Sequence, residues 1–244
     1  MTYCVGVNIR EGLIFASDSR TNAGIDHIAT FRKQSIFENP GERVMVLLSA
    51  GNLATSQAVV TRLRQQIADS ESKCSLMTAP SMYDAMRHVG EVYRSILDVD
   101  MAHVCKHNVD PGSDFIFGGQ IKGEAPQVAH IYSAGNFISA TRQTPFLQIG
   151  ETKYGKPIMD RIIDFDMPLS RATTAALISF DSTMRSNLSV GLPIDVVIYR
   201  TDSFKVGARI EIRDNDPYFA NLRRRYGKGL LNVFDRMPNP DWIV

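Results

Sequence analysis

The chain opens with apolar positions in two short runs. Tyr3-Cys4-Val5-Gly6-Val7-Asn8-Ile9 reads as a strand, Arg10-Glu11-Gly12 as a turn, and Leu13 to Ala16 as a second strand, so a hairpin is expected. Asp18 falls at the end of that second strand, and the small polar stretch from Asp18 to Gly24 reads as a loop. A third strand is expected over Lys33 to Phe37, turned by Asn39-Pro40-Gly41 into a fourth, Val44 to Ser49, whose unbroken apolar run predicts burial on both faces. Helical spacing then takes over. Leu53, Val59, Val60, Leu63 and Ile67 predict a helix over about 53–69, and Pro80 opens a longer one striped by Met82, Ala85, Val89, Val92 and Ile96. Strands return at Phe115–Ile121, Gln127–Tyr132 and Phe146–Ile149. Helices follow near 154–163 and 169–185, then strands at Ile194–Arg200 and Phe204–Ile212. The tail from Pro217 predicts a short amphipathic helix carrying Tyr218, Phe219, Leu222, Leu230 and Leu231.

Strands cluster and helices cluster, which argues against alternating βαβ units. Two antiparallel sheets stacked between two helical layers account for every predicted element, an α+β chain in four αββα layers. No linker or composition break divides the 244 residues, so a single domain over 1–213 is expected. Residues 214–244 form an extension packing on that core or on a neighbouring subunit.

Charge narrows the function classes. With 27 Lys+Arg against 26 Asp+Glu there is no electrostatic case for nucleic acid or an anionic membrane. No stretch is apolar for long enough to cross a bilayer, and Arg10 and Glu11 interrupt the early apolar run that a signal peptide would need. Three cysteines, Cys4, Cys74 and Cys105, share no metal-ligand spacing, so reduced thiols in the cytoplasm are expected.

Thr2 is the first candidate for chemistry. Removal of Met1, which a small second residue favours, would leave a free α-amine and a hydroxyl on one residue. That amine titrates near pH ~8 and accepts the hydroxyl proton at neutral pH. Asp18 ends the strand that pairs with the one carrying Thr2, and Lys33 begins the next. A buried lysine there favours the neutral amine and a developing alkoxide, and a carboxylate fixes the lysine in place. A structural Asp–Lys pair is the simpler alternative. In Ser49-Ala50-Gly51-Asn52-Leu53 a buried strand meets a helix at glycine, which makes the Gly51 N–H a candidate oxyanion donor, or Gly51 an ordinary strand-to-helix turn.

Taken together, Gly12-Leu13-Ile14-Phe15-Ala16-Ser17-Asp18-Ser19-Arg20, Ala23-Gly24, Lys33 and Ser49-Ala50-Gly51 resemble the proteasome β-subunit family. Met1 to Gly6, Thr21 to Gly24, Thr30 to Lys33, Pro40 to Arg43, Ala50 to Thr55 and Asp181 to Gly191 are similar to its bacterial proteasome-related subgroup, Anbu. The resemblance implies the αββα sandwich of N-terminal-nucleophile hydrolases and a threonine-type peptidase mechanism without a cofactor. It implies Thr2 as nucleophile and base, Asp18 and Lys33 as supports, Gly51 as oxyanion donor, and Ser189 as the one outer helper carried over. It further implies that the backbone of Asn22 and Leu53 lines a peptide or protein substrate strand, and that the subunit self-assembles into a ring or helical homo-oligomer. Two places depart from the family pattern. A Gly-Ser-Gly turn is replaced by Gly150-Glu151-Thr152, and the late loop reads Ser186-Asn187-Leu188-Ser189. The departures keep two alternatives open, a ring-forming scaffold with little proteolytic activity and a hydrolase of small amides. Substrate, subunit number and any docking ATP-driven unfoldase are left open by the sequence.

Other residues read as structural. His103 and His107 lie one helical turn apart without an evident third metal ligand, and no metal is expected. Cys4 reads as strand packing. Arg223-Arg224-Arg225 reads as a solvated helix face or a subunit contact.

Overall fold

A computed structural model describes residues 1–22, 28–72, 74–104 and 109–242. The hairpin expected at the start is present as β1 (Tyr3–Ile9) and β2 (Gly12–Asp18), paired so that Cys4 faces Ser17 and Ile9 faces Gly12. β3 (Arg20–Asn22) and β4 (Ile28–Thr30) form a separate two-stranded ribbon. The remaining strands are β5 (Gln34–Asn39), β6 (Arg43–Gly51), β7 (Ser113–Ile121), β8 (Gln127–Ile131), β9 (Phe137–Ser139), β10 (Phe146–Gly150), β11 (Ile194–Arg200) and β12 (Ala208–Ile212). They build two antiparallel five-stranded sheets, ordered β10-β1-β2-β11-β12 and β5-β6-β7-β8-β9. The helices are α1 (Leu53–Ala68), α2 (Met82–Val104), α3 (Lys156–Ile162), α4 (Leu169–Ser186) and α5 (Pro217–Phe234). No described helix is long and apolar enough to cross a membrane.

Strand alternation explains the layers. Along β1 and β2, Tyr3, Val5, Val7, Ile14 and Ala16 pack with Ala172, Ala176 and Phe180 of α4. Their neighbours Cys4, Leu13 and Phe15 point the other way, onto Val44, Val46 and Leu48 of β6 and Ile116 of β7. On the far side of β6, Met45 and Leu47 meet Val59 and Leu63 of α1 and Met86 and Val89 of α2. The expected αββα sandwich is therefore the observed one, with small residues of α4 allowing that helix close approach to β1.

Several expectations about individual elements change. The polar stretch after Asp18 contains β3, because Thr21 opposite Ala29 sustains a short ribbon that a three-residue run cannot advertise by periodicity. β9 has the same excuse. The last strand begins at Ala208, since Asp202 and Phe204 take left-handed backbone angles (φ 62° and 46°) that make the preceding segment a turn. Lys33 lies just before β5, although its carbonyl still accepts the Ser49 N–H at 3.0 Å.

The C-terminal helix runs for 18 residues, longer than the short amphipathic helix expected. Asp216 caps α5 by accepting the Phe219 N–H at 2.7 Å, with Pro217 at its first position. Phe219 is buried in the cluster under α4, and the Arg223 Nε donates to the buried Asp181 of α4 at 2.6 Å. Arg223 is thus a docking residue, whereas Arg224 bonds, among the described residues, Asn221 of its own helix. Further along, Leu230, Leu231, Val233 and Phe234 are exposed, as is Trp242 beyond the helix.

Candidate active site

The two sheets and the start of α1 enclose a cavity of about 540 Å³ at the N-terminus of β1. Thr2, Lys33, Gly51 and Leu53 line it, together with Met1, Arg20, Asp110, Asp114 and Ser133. Asp18 lies behind the wall, wholly buried at the end of β2. Four of the residues singled out in the sequence thus reach one cavity, and a fifth sits directly against it.

Lys33 and Asp18 form an ion pair with almost no solvent contact, Nζ to Oδ1 2.8 Å, their side chains 6% and 0% exposed respectively. The lysine also donates to the Arg20 carbonyl at 2.6 Å, and the Tyr3 N–H donates to the same Asp18 oxygen at 3.0 Å. The carboxylate therefore grips both the lysine and the backbone next to Thr2. Burial pushes the Asp18 carboxyl above its ordinary value, against the opposing pull of Lys33 and of the Tyr3 N–H. Its second oxygen, Oδ2, is buried with no hydrogen-bond partner among the described residues. Cys4, next along β1, is a packing residue as expected. It is fully buried, and that burial drives its thiol pKa far up.

Gly51 ends β6 at φ +111°, and a Cβ there would come within 2.5 Å of the Gly112 carbonyl, so only glycine fits. The Ser49 N–H points to Lys33 and the Asn52 N–H to the Gly112 carbonyl at 3.0 Å. By strand alternation the Gly51 N–H faces the Lys33 side, one step beyond the last partner that the β5 edge supplies. Asn52 then caps α1, its side chain accepting from Ala54 N and Thr55 N at 3.0 and 3.2 Å.

On the other flank, the Thr2 carbonyl accepts the Glu151 N–H at 2.7 Å. Gly150, opposite Tyr3 in the β1–β10 register, has φ +80°, and a Cβ there would collide with that same carbonyl. Ser189 does not line the cavity. It sits in the turn after α4, where its N–H donates to Asn187 Oδ1 at 2.9 Å. Asn22 is in β3, opposite Ile28, and its side chain lies outside the described part, as do the side chain of His103 and the whole of Cys105 and His107. Among the described residues no three His, Cys, Asp or Glu side chains cluster as a metal site. Sequence reasoning missed Arg20 and the far wall of the cavity, Asp110, Asp114 and Ser133. Tyr93 also went unnoticed; its hydroxyl accepts the Ser113 N–H at 2.7 Å and supports that wall.

Two stacked antiparallel sheets between helical layers define the sandwich of N-terminal-nucleophile hydrolases. No protein-family model matches the chain, and no curated protein matches it. Solved structures do match. Anbu, the ancestral β-subunit, from Yersinia bercovieri is 49% identical, with 98% of each chain covered and a TM-score of 0.92. The helical assembly of the Anbu complex from Pseudomonas aeruginosa is 50% identical over 98% of each chain, with a TM-score of 0.93. An Anbu (Gly-1) mutant from Hyphomicrobium sp. strain MC1 is 48% identical, covering 99% of this chain and 100% of the other, at a TM-score of 0.92. This chain belongs to the Anbu family of proteasome-related proteins.

Proposed function

We infer that the chain is a threonine-type amide hydrolase, a peptidase subunit of a self-assembling proteasome-like homo-oligomer in the cytoplasm. The observation that carries this reading is the buried Lys33–Asp18 pair set against the cavity that Thr2 lines, with Gly51 on the same wall. In the chain as it stands, Met1 is joined to Thr2, and the Thr2 nitrogen is an amide. Removal of Met1 releases the α-amine, which takes the proton of the Thr2 hydroxyl as Oγ1 attacks the substrate carbonyl carbon. The Gly51 N–H stabilises the oxyanion of the tetrahedral intermediate. Collapse breaks the C–N bond, the departing amine carries away the proton, and an ester on Thr2 remains. Water, deprotonated by the same α-amine, cleaves the ester and regenerates the hydroxyl. Lys33, held in place by Asp18, favours the neutral amine and the alkoxide throughout. The backbone of Leu53, and of Asn22 in β3, flanks an extended substrate.

Assembly is supported by the helical complex of the Pseudomonas aeruginosa relative and by the exposed apolar end of α5, where Leu230, Leu231 and Phe234 suit a contact with a neighbouring copy. The extension over 214–244 is thus proposed to serve both the core, through Phe219 and Arg223, and the assembly.

The test is covalent. Protein shown by mass to begin at Thr2 is incubated with an epoxyketone, which needs both the hydroxyl and the free amine. One adduct per subunit on Thr2, lost in Thr2→Ala and Lys33→Ala, is expected. No adduct on correctly processed protein sinks the catalytic reading and favours a scaffold. Turnover of small amides but not peptides by labelled-competent protein would move the substrate class instead.

A further inference from the structure

Glu151 is a buried carboxylate that the chemistry above does not use. Its side chain is 6% exposed. Its backbone N–H holds the Thr2 carbonyl at 2.7 Å, and its Oε2 accepts from Asn187 Nδ2 at 2.7 Å. Asn187 ends α4, its own N–H donating to Thr183 O at 2.8 Å, and its Oδ1 accepts the Ser189 N–H at 2.9 Å. Glu151 Oε1 lies 3.4 Å from the ammonium of the largely exposed Lys153. One residue therefore touches the peptide unit of the expected nucleophile and, through a single side-chain amide, the turn that carries Ser189. Burying a carboxylate costs several kcal/mol, and the end of a strand does not need one.

The geometry points to Glu151 as a positioning residue for Thr2. Its side chain latches the turn at residues 187–190 to the strand end that carries the nucleophile, so that the Thr2 hydroxyl is presented to substrate from a fixed backbone. The proposal rests on Thr2 being the nucleophile. The backbone bond to Thr2 survives any substitution at 151 except proline, so the side-chain link is separable from it. Gln at 151 keeps an acceptor for Asn187 without the charge. Ala at 151, or at 187, removes the link from one end or the other.

The experiment uses the full chain with Met1 removed and resolves epoxyketone labelling into a binding constant and a maximal rate. Glu151→Ala and Asn187→Ala are each expected to lower the maximal rate by about ten- to a hundredfold, the loss that a misplaced reacting group brings, with the binding constant within about twofold. Glu151→Gln should stay within about threefold of the parent, and the double Ala variant should be no slower than the slower single one. Thermal melting checks that each variant is folded. Should Glu151→Ala misfold, Asn187→Ala reads the same link from the other end. Wild-type rates in folded Ala variants, losses that multiply in the double variant, or a Gln variant as slow as Ala would each overturn the latch. An unlabelled parent sinks the Thr2 reading, and the latch falls with it, whereas a labelled parent with unaffected Ala variants sinks the latch alone.

Discussion

Thr2 is flanked by two polar groups of different construction. On one side, Asp18 and Lys33 come from the first hairpin and the residue before β5, and form an ion pair sealed from water. On the other, Glu151 and Asn187 come from the ends of β10 and α4, joined by a carboxylate–amide hydrogen bond. The first group places charge beside the cavity and joins residues 15 apart, against 36 for the second. The second places backbone, and requires two remote parts of the chain to arrive together. Charge here comes from early in the chain, Asp18 and the lysine before β5, while alignment is a product of the finished fold.

That contrast can be broken at several points. The largest effect is expected from Thr2→Ala, which should lower turnover by at least about a thousandfold with unchanged melting. Lys33→Ala should lower the labelling rate on the order of a hundred- to a thousandfold. It should also destabilise the fold by about 3–5 kcal/mol in denaturant titration, because it strands a buried carboxylate. If the rate falls and stability does not, the pair is not the sealed unit described. Gly150→Ala probes the other flank. A Cβ driven onto the Thr2 carbonyl from a left-handed backbone should slow labelling by about tenfold or more and lower the melting temperature as well, because backbone on both strands must shift.

Acid titration separates the flanks more gently. The Asp18 carboxyl sits above its ordinary value in the fold, so it protonates at a higher pH than a free aspartate. Labelling should therefore fade at a pH above that of an exposed carboxylate. Between the ordinary and the raised value the folded chain binds more protons than the unfolded one, so the Asp18 contribution to stability grows as pH falls. Rate and stability should move in opposite directions across that interval, and Asp18→Asn should abolish the divergence. The smallest effect belongs to Arg223→Ala. Unpairing Asp181 from α5 should cost about 1–2 kcal/mol in melting experiments and leave the labelling rate of Thr2 unchanged.

The same division explains what could be read beforehand. The hairpin, β6, α1, α2 and α4 announce themselves because each is long enough to show its period, and Asp18, Lys33 and Gly51 fall at the ends of such elements. β3, β4 and β9 are three residues each, too short for alternation to stand out. Glu151 and Ser186 were visible as departures from a family pattern, but the hydrogen bond from Asn187 to Glu151 spans 36 residues and has no local signal. Asp110, Asp114 and Ser133 share the cavity only because β7 and the turn after β8 meet beside β6.

The β1–β2 register carries a last consequence, for how the chain tolerates changes of length. Asp18 meets the backbone of Tyr3 only because β2 counts back six pairs, from Cys4–Ser17 to Ile9–Gly12, without a gap. An insertion of one residue within either strand would turn every later β2 side chain to the opposite face and carry Asp18 away from Lys33. Composition along the hairpin is open to drift, but its count is frozen. An epitope or a fluorescent reporter belongs elsewhere, for instance at the turn between β7 and β8, where a Cβ on Gly123 would have nothing within 4 Å.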